Sequence, residues 1–237
     1  MTAEGRFDVP AMIAALTPKT RLLMFSCPSN PVGSTLDADE LQQLLAVLPA
    51  QCLLVFDEAY YEYADFEADY PDCLGLIQAS GKPFILLRTF SKAYSLAGLR
   101  IGYGIVSDPL LADLIDRLRT PFNINRVAQA AAIAALADEE HLQATLAHVA
   151  HERRHMVVAL QNMGLSPAPS MANFLYFSTP YPAETINQAL LRKGVILKPW
   201  REDGYTQYLR VSIGSCEDND LFLKALASVL AAQKDAD

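Results

Sequence analysis

Three short apolar runs in the first half of the chain each lead into residues with hydrogen-bonding or reactive side chains. The runs span residues 21–27, 52–56 and 84–87, and their length and composition predict buried β-strands. A helical pattern follows the first run, where Asp37 and Glu40 fit a capping box. Further strands are predicted over residues 99–106, 174–177, 195–197 and 208–213. This alternation predicts an α/β fold with a mostly parallel sheet covered by helices, followed by a smaller α+β part.

The chemically distinctive residues follow the ends of the first three strands. Asn30 comes after the first, Asp57 after the second and Lys92 after the third. In sheets of this kind ligands bind at the carboxyl ends of the strands, so we expect the three side chains to share one site. The segment 30–33, which reads NPVG, is by itself only a turn signature.

Lys92 belongs to the segment 88–100, which reads RTFSKAYSLAGLR. Its amine can form an imine with an aldehyde, while Ser91 supplies a hydroxyl and Arg100 a fixed positive charge for a phosphate ester. An aldehyde that carries a phosphate ester describes pyridoxal 5'-phosphate (PLP). For an isolated lysine, a surface position after an edge strand is the commoner interpretation, and the two upstream motifs weigh against it.

Asp57 follows the apolar run LLVF, and a carboxylate buried at a strand end needs a cationic or hydrogen-bonding partner. The protonated nitrogen of a pyridine ring is such a partner, and its protonation makes the ring an electron sink. Tyr60 lies three residues further on and can donate to the phenolate oxygen of that ring, as can the side chain of Asn30. The alternative for Asp57 is a helix N-cap or a local turn.

The ordered set NPVG, DEAY and SK, with an arginine eight residues after the lysine, resembles the fold-type I PLP-dependent aminotransferases. Within them, the segments FDEAYYEY, RTFSKAYSLAGLRIGYG and LRVSIGS resemble the histidinol-phosphate aminotransferases. The likeness runs from Phe7 to the last helix. It implies a partial PLP-binding large domain over residues 1–121 and a C-terminal small domain over residues 122–237.

The resemblance implies one cofactor site built from residues already singled out. They are Asn30, Asp57, Tyr60, Ser91, Lys92 and Arg100. Within this set Lys92 is implied as the Schiff-base lysine and as the base that moves a proton between the substrate Cα and the cofactor. Asp57 is implied to pair with the pyridinium nitrogen.

The substrate side of the implied site depends on residues of the second half. Arg210 matches the arginine that grips the acidic group of the substrate, and a guanidinium can pair with a carboxylate or a phosphate. The alternative for Arg210 is a structural salt bridge. Asn173 matches a substrate-side asparagine, and Lys198 stands where family members often carry arginine. Residues that could line the channel, or equally end a helix, are Arg119, Asn123 and Asn125.

The implied reaction converts histidinol phosphate and 2-oxoglutarate to imidazole acetol phosphate and glutamate, a step of histidine biosynthesis. The implied partners are small amino-acid and phosphate substrates and a second copy in a homodimer. Another PLP enzyme of the same scaffold, such as an aromatic aminotransferase or a threonine-phosphate decarboxylase, stays open because the cofactor motifs are shared. A non-catalytic remnant of such an enzyme also stays open as an alternative, because the resemblance implies that a preceding N-terminal stretch with a phosphate-capping loop is absent.

Composition excludes several other classes of protein. The formal net charge of −8 argues against nucleic-acid and membrane-surface binding, both of which need a basic face. The four cysteines form no CxxC pair, which predicts reduced thiols in a cytoplasmic protein. No metal site is predicted, because a solvent-exposed helix face is expected for His148, His151 and His155. Exposed loop charge is expected for Glu58, Glu62 and Asp65.

Overall fold

A computed structural model of the chain describes residues Met1–Asp235. They form two compact units, the first comprising Met1–Asn30 with Thr35–Leu146 and the second comprising Pro31–Ser34 with the chain from Ala147 onward. This division follows contacts within the chain. The domains expected over residues 1–121 and 122–237 therefore stay a prediction.

The first unit is built on a four-stranded sheet in the order β1–β2–β3–β4. The strands are β1 (Leu22–Ser26), β2 (Leu53–Asp57), β3 (Phe84–Thr89) and β4 (Gly102–Val106). The first three are parallel, and β4 runs antiparallel to β3. The predicted α/β class with a mostly parallel sheet is confirmed.

Helices precede, connect and follow these strands, and the last of them continues into the second unit at Ala147. They are α1 (Val9–Ala15), α2 (Ala38–Val47), α3 (Tyr61–Asp65), α4 (Cys73–Ala79), α5 (Pro109–Leu118), α6 (Arg126–Ala137) and α7 (Glu139–Asn162), with a 3₁₀ turn at Ala97–Leu99. The capping box predicted for α2 is present, because Glu40 N donates to Asp37 Oδ1 at 2.8 Å and Asp37 N donates to Glu40 Oε2 at 3.0 Å. Among the described residues, no helix combines the length and apolarity that crossing a bilayer requires.

The hydrophobic core of the first unit lies on one face of its sheet. Side chains that contribute to it without solvent exposure are Leu54, Phe56 and Leu86 from the strands and Leu41 and Ile77 from α2 and α4. The alternate residues point to the other face, where Met24 of β1 and Leu87 of β3 are 68% and 38% exposed. Helices therefore cover one face of the sheet closely and the other only in part.

The second unit contains a three-stranded antiparallel sheet in the order β5–β7–β6. Its strands are β5 (Phe174–Ser178), β6 (Lys198–Pro199) and β7 (Tyr208–Ser212), and its later helices are α8 (Ala183–Leu191) and α9 (Cys216–Lys234). The strand predicted over residues 195–197 is wrong, since the pairing with β7 begins only at Lys198.

Candidate functional site

The register of the first sheet places the ends of β1 and β2 side by side, and β3 runs on to Thr89. Ser26 at the end of β1 lies opposite Asp57 at the end of β2, and Asp57 lies opposite Leu87 of β3. Pairing continues beyond β2, because Glu58 N donates to Leu87 O at 2.8 Å. The loops that carry the predicted asparagine, aspartate and lysine therefore leave the sheet along one edge, as the sequence predicted.

The carboxylate of Asp57 is half-buried and held by its own turn. Its Oδ1 accepts a hydrogen bond from Ala59 N at 2.9 Å. A local turn was the alternative interpretation of this residue, and the structure shows that turn. The turn also fixes the direction of the carboxylate before the chain enters α3 through the buried Tyr60.

Lys92 lies against Tyr60, so two of the predicted cofactor residues come together. The Nζ of Lys92 is 5.1 Å from the centroid of the Tyr60 ring, which is cation–π distance. Lys92 is half-buried, and among residues 1–235 its ammonium has no hydrogen-bond or ion-pair partner. Its carbonyl accepts from Ser95 N at 2.9 Å, which folds the loop back after the lysine. An amine placed in this way is available to a ligand.

Ser91 and Arg100 flank the lysine but differ in their surroundings. Ser91 Oγ accepts a hydrogen bond from Thr89 Oγ1 at 2.9 Å, so the hydroxyl lies at the end of β3. Arg100 is exposed, and its Nη1 donates to Ala97 O at 2.8 Å within the same loop. Its φ of 56° is uncommon for a residue with a Cβ and is a conformation found more often at functional sites.

Asn30 stands in the turn that follows β1. It is exposed, and its backbone N donates to Ser26 Oγ at 3.0 Å, so the turn is tied to the end of the strand next to Asp57. The structure thus brings the asparagine to the same sheet edge as the aspartate and the lysine.

A buried ion pair lies beside these residues, and the sequence analysis missed it. Glu58 is 0% exposed, and its Oε2 is 2.8 Å from both Nε and Nη2 of Arg88. The hydroxyl of Tyr70 donates to the other oxygen of Glu58 at 3.0 Å, and the guanidinium of Arg88 lies 3.3 Å from the Tyr61 ring centroid. Burial raises the pKa of Glu58, and the contacts with Arg88 and Tyr70 oppose that rise. The expectation of exposed loop charge is wrong for Glu58.

Glu62 is a second carboxylate that the sequence analysis placed wrongly in solvent. It is 6% exposed, and among the described residues its Oε2 has no hydrogen-bond partner. Burial raises the pKa of Glu62 to about 7. Asp65, one turn later on the same short helix, is exposed as expected.

In the second unit, Arg210 and Lys198 form a pair of cations. They are direct partners across β7 and β6, and both line a pocket of about 410 Å³. Arg210 is half-buried with its Cζ 4.8 Å from the Phe174 ring centroid, while Lys198 Nζ is 5.7 Å from the Trp200 ring. The carboxylate of Asp218 belongs to a residue that lines the same pocket.

The remaining residues that the sequence analysis singled out pair with nearby groups of the chain, cap helices or lie in solvent. Asn173 precedes β5, and its carbonyl accepts from Ile213 N at 2.9 Å. Asn125 is the N-cap of α6, with its Oδ1 accepting from Ala128 N at 2.8 Å, so the helix-terminus alternative is confirmed for it. Arg119 caps the end of α5 and pairs with Asp116 at 2.8 Å, also at a helix end. An exposed position is confirmed for His148, His151 and His155, and Asn123 is exposed as well.

A protein-family model and several curated proteins match the sequence of this chain. A family model described as aminotransferase class I and II matches residues 2–226. "Histidinol-phosphate aminotransferase 1" of Mesorhizobium japonicum is 51% identical over 223 residues, which cover 94% of this chain and 60% of that protein. "Histidinol-phosphate aminotransferase" of Moorella thermoacetica is 39% identical over 230 residues, covering 97% of this chain and 59% of that protein.

A solved structure supports the same likeness. The crystal structure of histidinol-phosphate aminotransferase from Sinorhizobium meliloti in complex with pyridoxal-5'-phosphate is 32% identical and superposes with a TM-score of 0.87. The superposition covers 98% of this chain and 63% of that one. The chain therefore spans about 60% of the length of the curated relatives that it matches.

Proposed function

Since the chain belongs to the aminotransferase class I and II family, we propose that it acts in PLP-dependent transamination, with Lys92 as the residue that carries the cofactor. The observation that carries the proposal is the half-buried amine of Lys92, 5.1 Å from the Tyr60 ring at the sheet edge that also holds Asp57. The cofactor indicated by the family and by the PLP complex of the Sinorhizobium meliloti relative is pyridoxal 5'-phosphate.

The donor set at this sheet edge fits PLP. When bound, PLP supplies an aldehyde carbon that accepts an amine and a pyridine ring that withdraws electrons from the substrate. The Lys92 amine has no hydrogen-bond or ion-pair partner among residues 1–235, so neither kind of bond has to be broken before it reacts. The Asp57 carboxylate is pre-oriented by its turn, which suits it to accept a hydrogen bond from a protonated ring nitrogen.

The other residues of the set would bind and orient. The Ser91 hydroxyl and the Arg100 guanidinium supply a neutral donor and a positive charge for a phosphate group. The Tyr60 hydroxyl and the Asn30 carboxamide supply donors for the phenolic oxygen of the ring. Lys92 would hold and move a proton at the substrate Cα, as a general base close to the reacting atoms.

For the substrates we propose histidinol phosphate and 2-oxoglutarate, giving imidazole acetol phosphate and glutamate. The names of the relatives support this choice, and so does the pocket that Arg210 shares with Lys198. The planar fork of Arg210 can pair with the phosphate of one substrate or a carboxylate of the other. Asn173 is proposed on the substrate side by likeness alone.

A homodimeric assembly and a cytoplasmic location are part of the same proposal. The first is supported by the family resemblance. The second is supported by the four cysteines, all of which are free in the structure.

The test is a titration of the purified chain with PLP, followed by each candidate amine. We expect the parent chain to form a PLP absorbance band that Lys92→Ala does not form. Histidinol phosphate should change this band at a lower concentration than phenylalanine or threonine phosphate does. Preference for phenylalanine would assign an aromatic aminotransferase, and release of carbon dioxide from threonine phosphate would assign a decarboxylase. If the parent chain forms no PLP band that differs from that of Lys92→Ala, it does not bind the cofactor as proposed.

A further inference from the structure

Two consecutive charged residues of α7 are buried in the second unit. Glu152 is 3% exposed and Arg153 is 6% exposed. Charged side chains are seldom buried to this extent unless polar groups of the protein compensate them. Both side chains bond to groups that lie just before β5 or just after β7 in the chain. The two charges therefore act on the ends of these strands.

Glu152 is bonded to Asn219 of α9, and Asn219 closes the turn after β7. The Nδ2 of Asn219 donates to Glu152 Oε2 at 2.7 Å, and the Sγ of Cys216 donates to Glu152 Oε1 at 3.3 Å. These hydrogen bonds lower the pKa of Glu152, which keeps the acceptor ionised. The same carboxamide brackets Gly214, since Asn219 Oδ1 accepts from Gly214 N at 2.9 Å and Nδ2 donates to Gly214 O at 3.2 Å.

The orientation of the Asn219 carboxamide depends on Glu152. Asn219 is 2% exposed, and both its oxygen and its nitrogen are engaged in hydrogen bonds. A carboxylate only accepts hydrogen bonds, so it selects the nitrogen side of the carboxamide and turns the oxygen towards Gly214 N. The carboxylate thus fixes which groups of the turn Asn219 can bond.

The turn at Gly214 follows the strand that carries Arg210. β7 ends at Ser212, and the next residue, Ile213, donates from its N to Asn173 O at 2.9 Å. Arg153 Nη1 donates to Ala172 O at 2.8 Å, directly before that asparagine. The start of β5 and the end of β7 are register partners, and both are therefore connected to α7.

The closed turn also forms part of the wall of the pocket that contains Arg210. Gly214 and Asn219 line this pocket together with Arg210 and Lys198. Glu152 is not among the described residues that line it. An effect of Glu152 on an anion in the pocket therefore passes through Asn219 or through the charge of the carboxylate.

We propose that Glu152 is a positioning residue, which acts through Asn219 to fix the turn after β7 and with it the guanidinium of Arg210. This role rests on the proposed function, in which Arg210 binds the phosphate or the carboxylate of a substrate. A guanidinium pairs with such an anion through two hydrogen bonds only when its plane and position match the anion. A shift of β7 therefore costs affinity even though Arg210 itself is unchanged.

The probe for this role is inorganic phosphate, titrated into the full chain without PLP and followed by phosphorus NMR. Glu152→Ala removes the acceptor of Asn219 and should raise the dissociation constant of phosphate about 5-fold or more. The variant also removes a negative charge, which by itself strengthens the binding of an anion. Weaker binding therefore reports on position and not on charge.

Two further variants separate the hydrogen bond from the charge. Glu152→Gln keeps an acceptor oxygen for Asn219 without the charge, and it should bind phosphate at least as tightly as the parent. Glu217→Ala is the matched control, because Glu217 is an exposed glutamate in the first turn of α9 and the same charge is removed. It should not raise the dissociation constant. Thermal unfolding of each variant shows whether it is folded at the temperature of the titration.

Hydrogen exchange of the ligand-free chain reads the turn directly. Glu152→Ala should exchange faster over residues 209–214 than the parent does, relative to α8 of the same unit, and Glu152→Gln should not. Unchanged exchange over this segment overturns the positioning role. A dissociation constant that is unchanged or lowered in folded Glu152→Ala overturns it as well.

Arg210→Ala distinguishes failure of this role from failure of the proposed function. It should abolish most of the phosphate binding of the parent. If Arg210→Ala binds phosphate as the parent does, the substrate role given to Arg210 is wrong, and hydrogen exchange alone then decides whether Glu152 holds the turn. If Arg210→Ala loses binding and Glu152→Ala does not, the proposed function stands and the positioning role is wrong.

Discussion

The guanidinium of Arg88, near the end of β3, holds the carboxylate of Glu58 just beyond the end of β2, with Nε and Nη2 each 2.8 Å from one oxygen. Glu58 is the neighbour of Asp57, and Arg88 precedes Lys92 by four residues. The ion pair therefore joins the two loops that carry the proposed cofactor residues. A buried, doubly hydrogen-bonded pair of this kind restricts relative movement of the loops.

Removing one partner of this pair leaves a buried charge without compensation. Arg88→Ala should lower the free energy of unfolding by about 3–5 kcal/mol. The matched control is Arg117→Ala, which breaks an ion pair with Asp113 on the surface of α5 and should cost about 0–1 kcal/mol. Urea unfolding of the three proteins compares them. Equal losses for the two variants would contradict the positioning role given to Arg88.

The buried carboxyl of Glu62 should make stability depend on pH. Its pKa in the folded chain is about 7, raised by burial above the ordinary value of 4.5. Folding therefore favours the protonated form, and this contribution is complete below pH 4.5 and lost as the pH rises through 7. Between pH 5 and pH 8 the parent should lose about 2–3 kcal/mol more than Glu62→Gln does. Urea unfolding at both pH values measures the difference. Parallel behaviour of the two proteins would show that Glu62 ionises normally.

Asp57→Asn keeps the size of the side chain and removes its charge. A charge-assisted hydrogen bond is worth about 1.5–3 kcal/mol, so PLP should bind about 10- to 100-fold more weakly. Asp65→Asn is the control, because Asp65 is an exposed carboxylate in the same segment. Titration of PLP absorbance gives both dissociation constants. An unchanged constant for Asp57→Asn would remove Asp57 from the cofactor site.

Arg210→Lys tests whether the fork geometry matters as well as the charge. The variant keeps a cation opposite Lys198 but loses bidentate pairing, and the concentration of histidinol phosphate needed for half-maximal reaction should rise about 10-fold or more. Arg201→Ala removes an exposed arginine paired with Glu184 in the same unit and should leave that concentration unchanged. Measurement of the PLP spectral change against substrate concentration compares them. A larger effect in Arg201→Ala would place the substrate anion elsewhere.

Much of the fold was predictable because local signals agreed with the final structure. The strands that became β1, β2 and β3 are short apolar runs bounded by polar residues, and the Asp37–Glu40 capping box marks the start of α2. The strand expected over residues 195–197 failed because pairing with β7, which lies later in the chain, decides where β6 begins.

The candidate site was predictable only in part. The convergence of Asn30, Asp57 and Lys92 follows from the rule that parallel strands end at one sheet edge. The burial of Glu58 does not follow from its immediate neighbours, since its partner Arg88 is thirty residues away. The one signal in the sequence was that residues of opposite charge follow the apolar runs of two adjacent strands, Glu58 after the second run and Arg88 after the third.

The proposed function depends most on the bond between PLP and the amine of Lys92. The direct measurement is reduction of the PLP-treated chain with borohydride, followed by digestion and peptide mass spectrometry. We predict that the cofactor is found on the peptide containing Lys92, and that Lys92→Ala retains none. PLP attached to a different lysine, or attached equally in Lys92→Ala, would contradict the account.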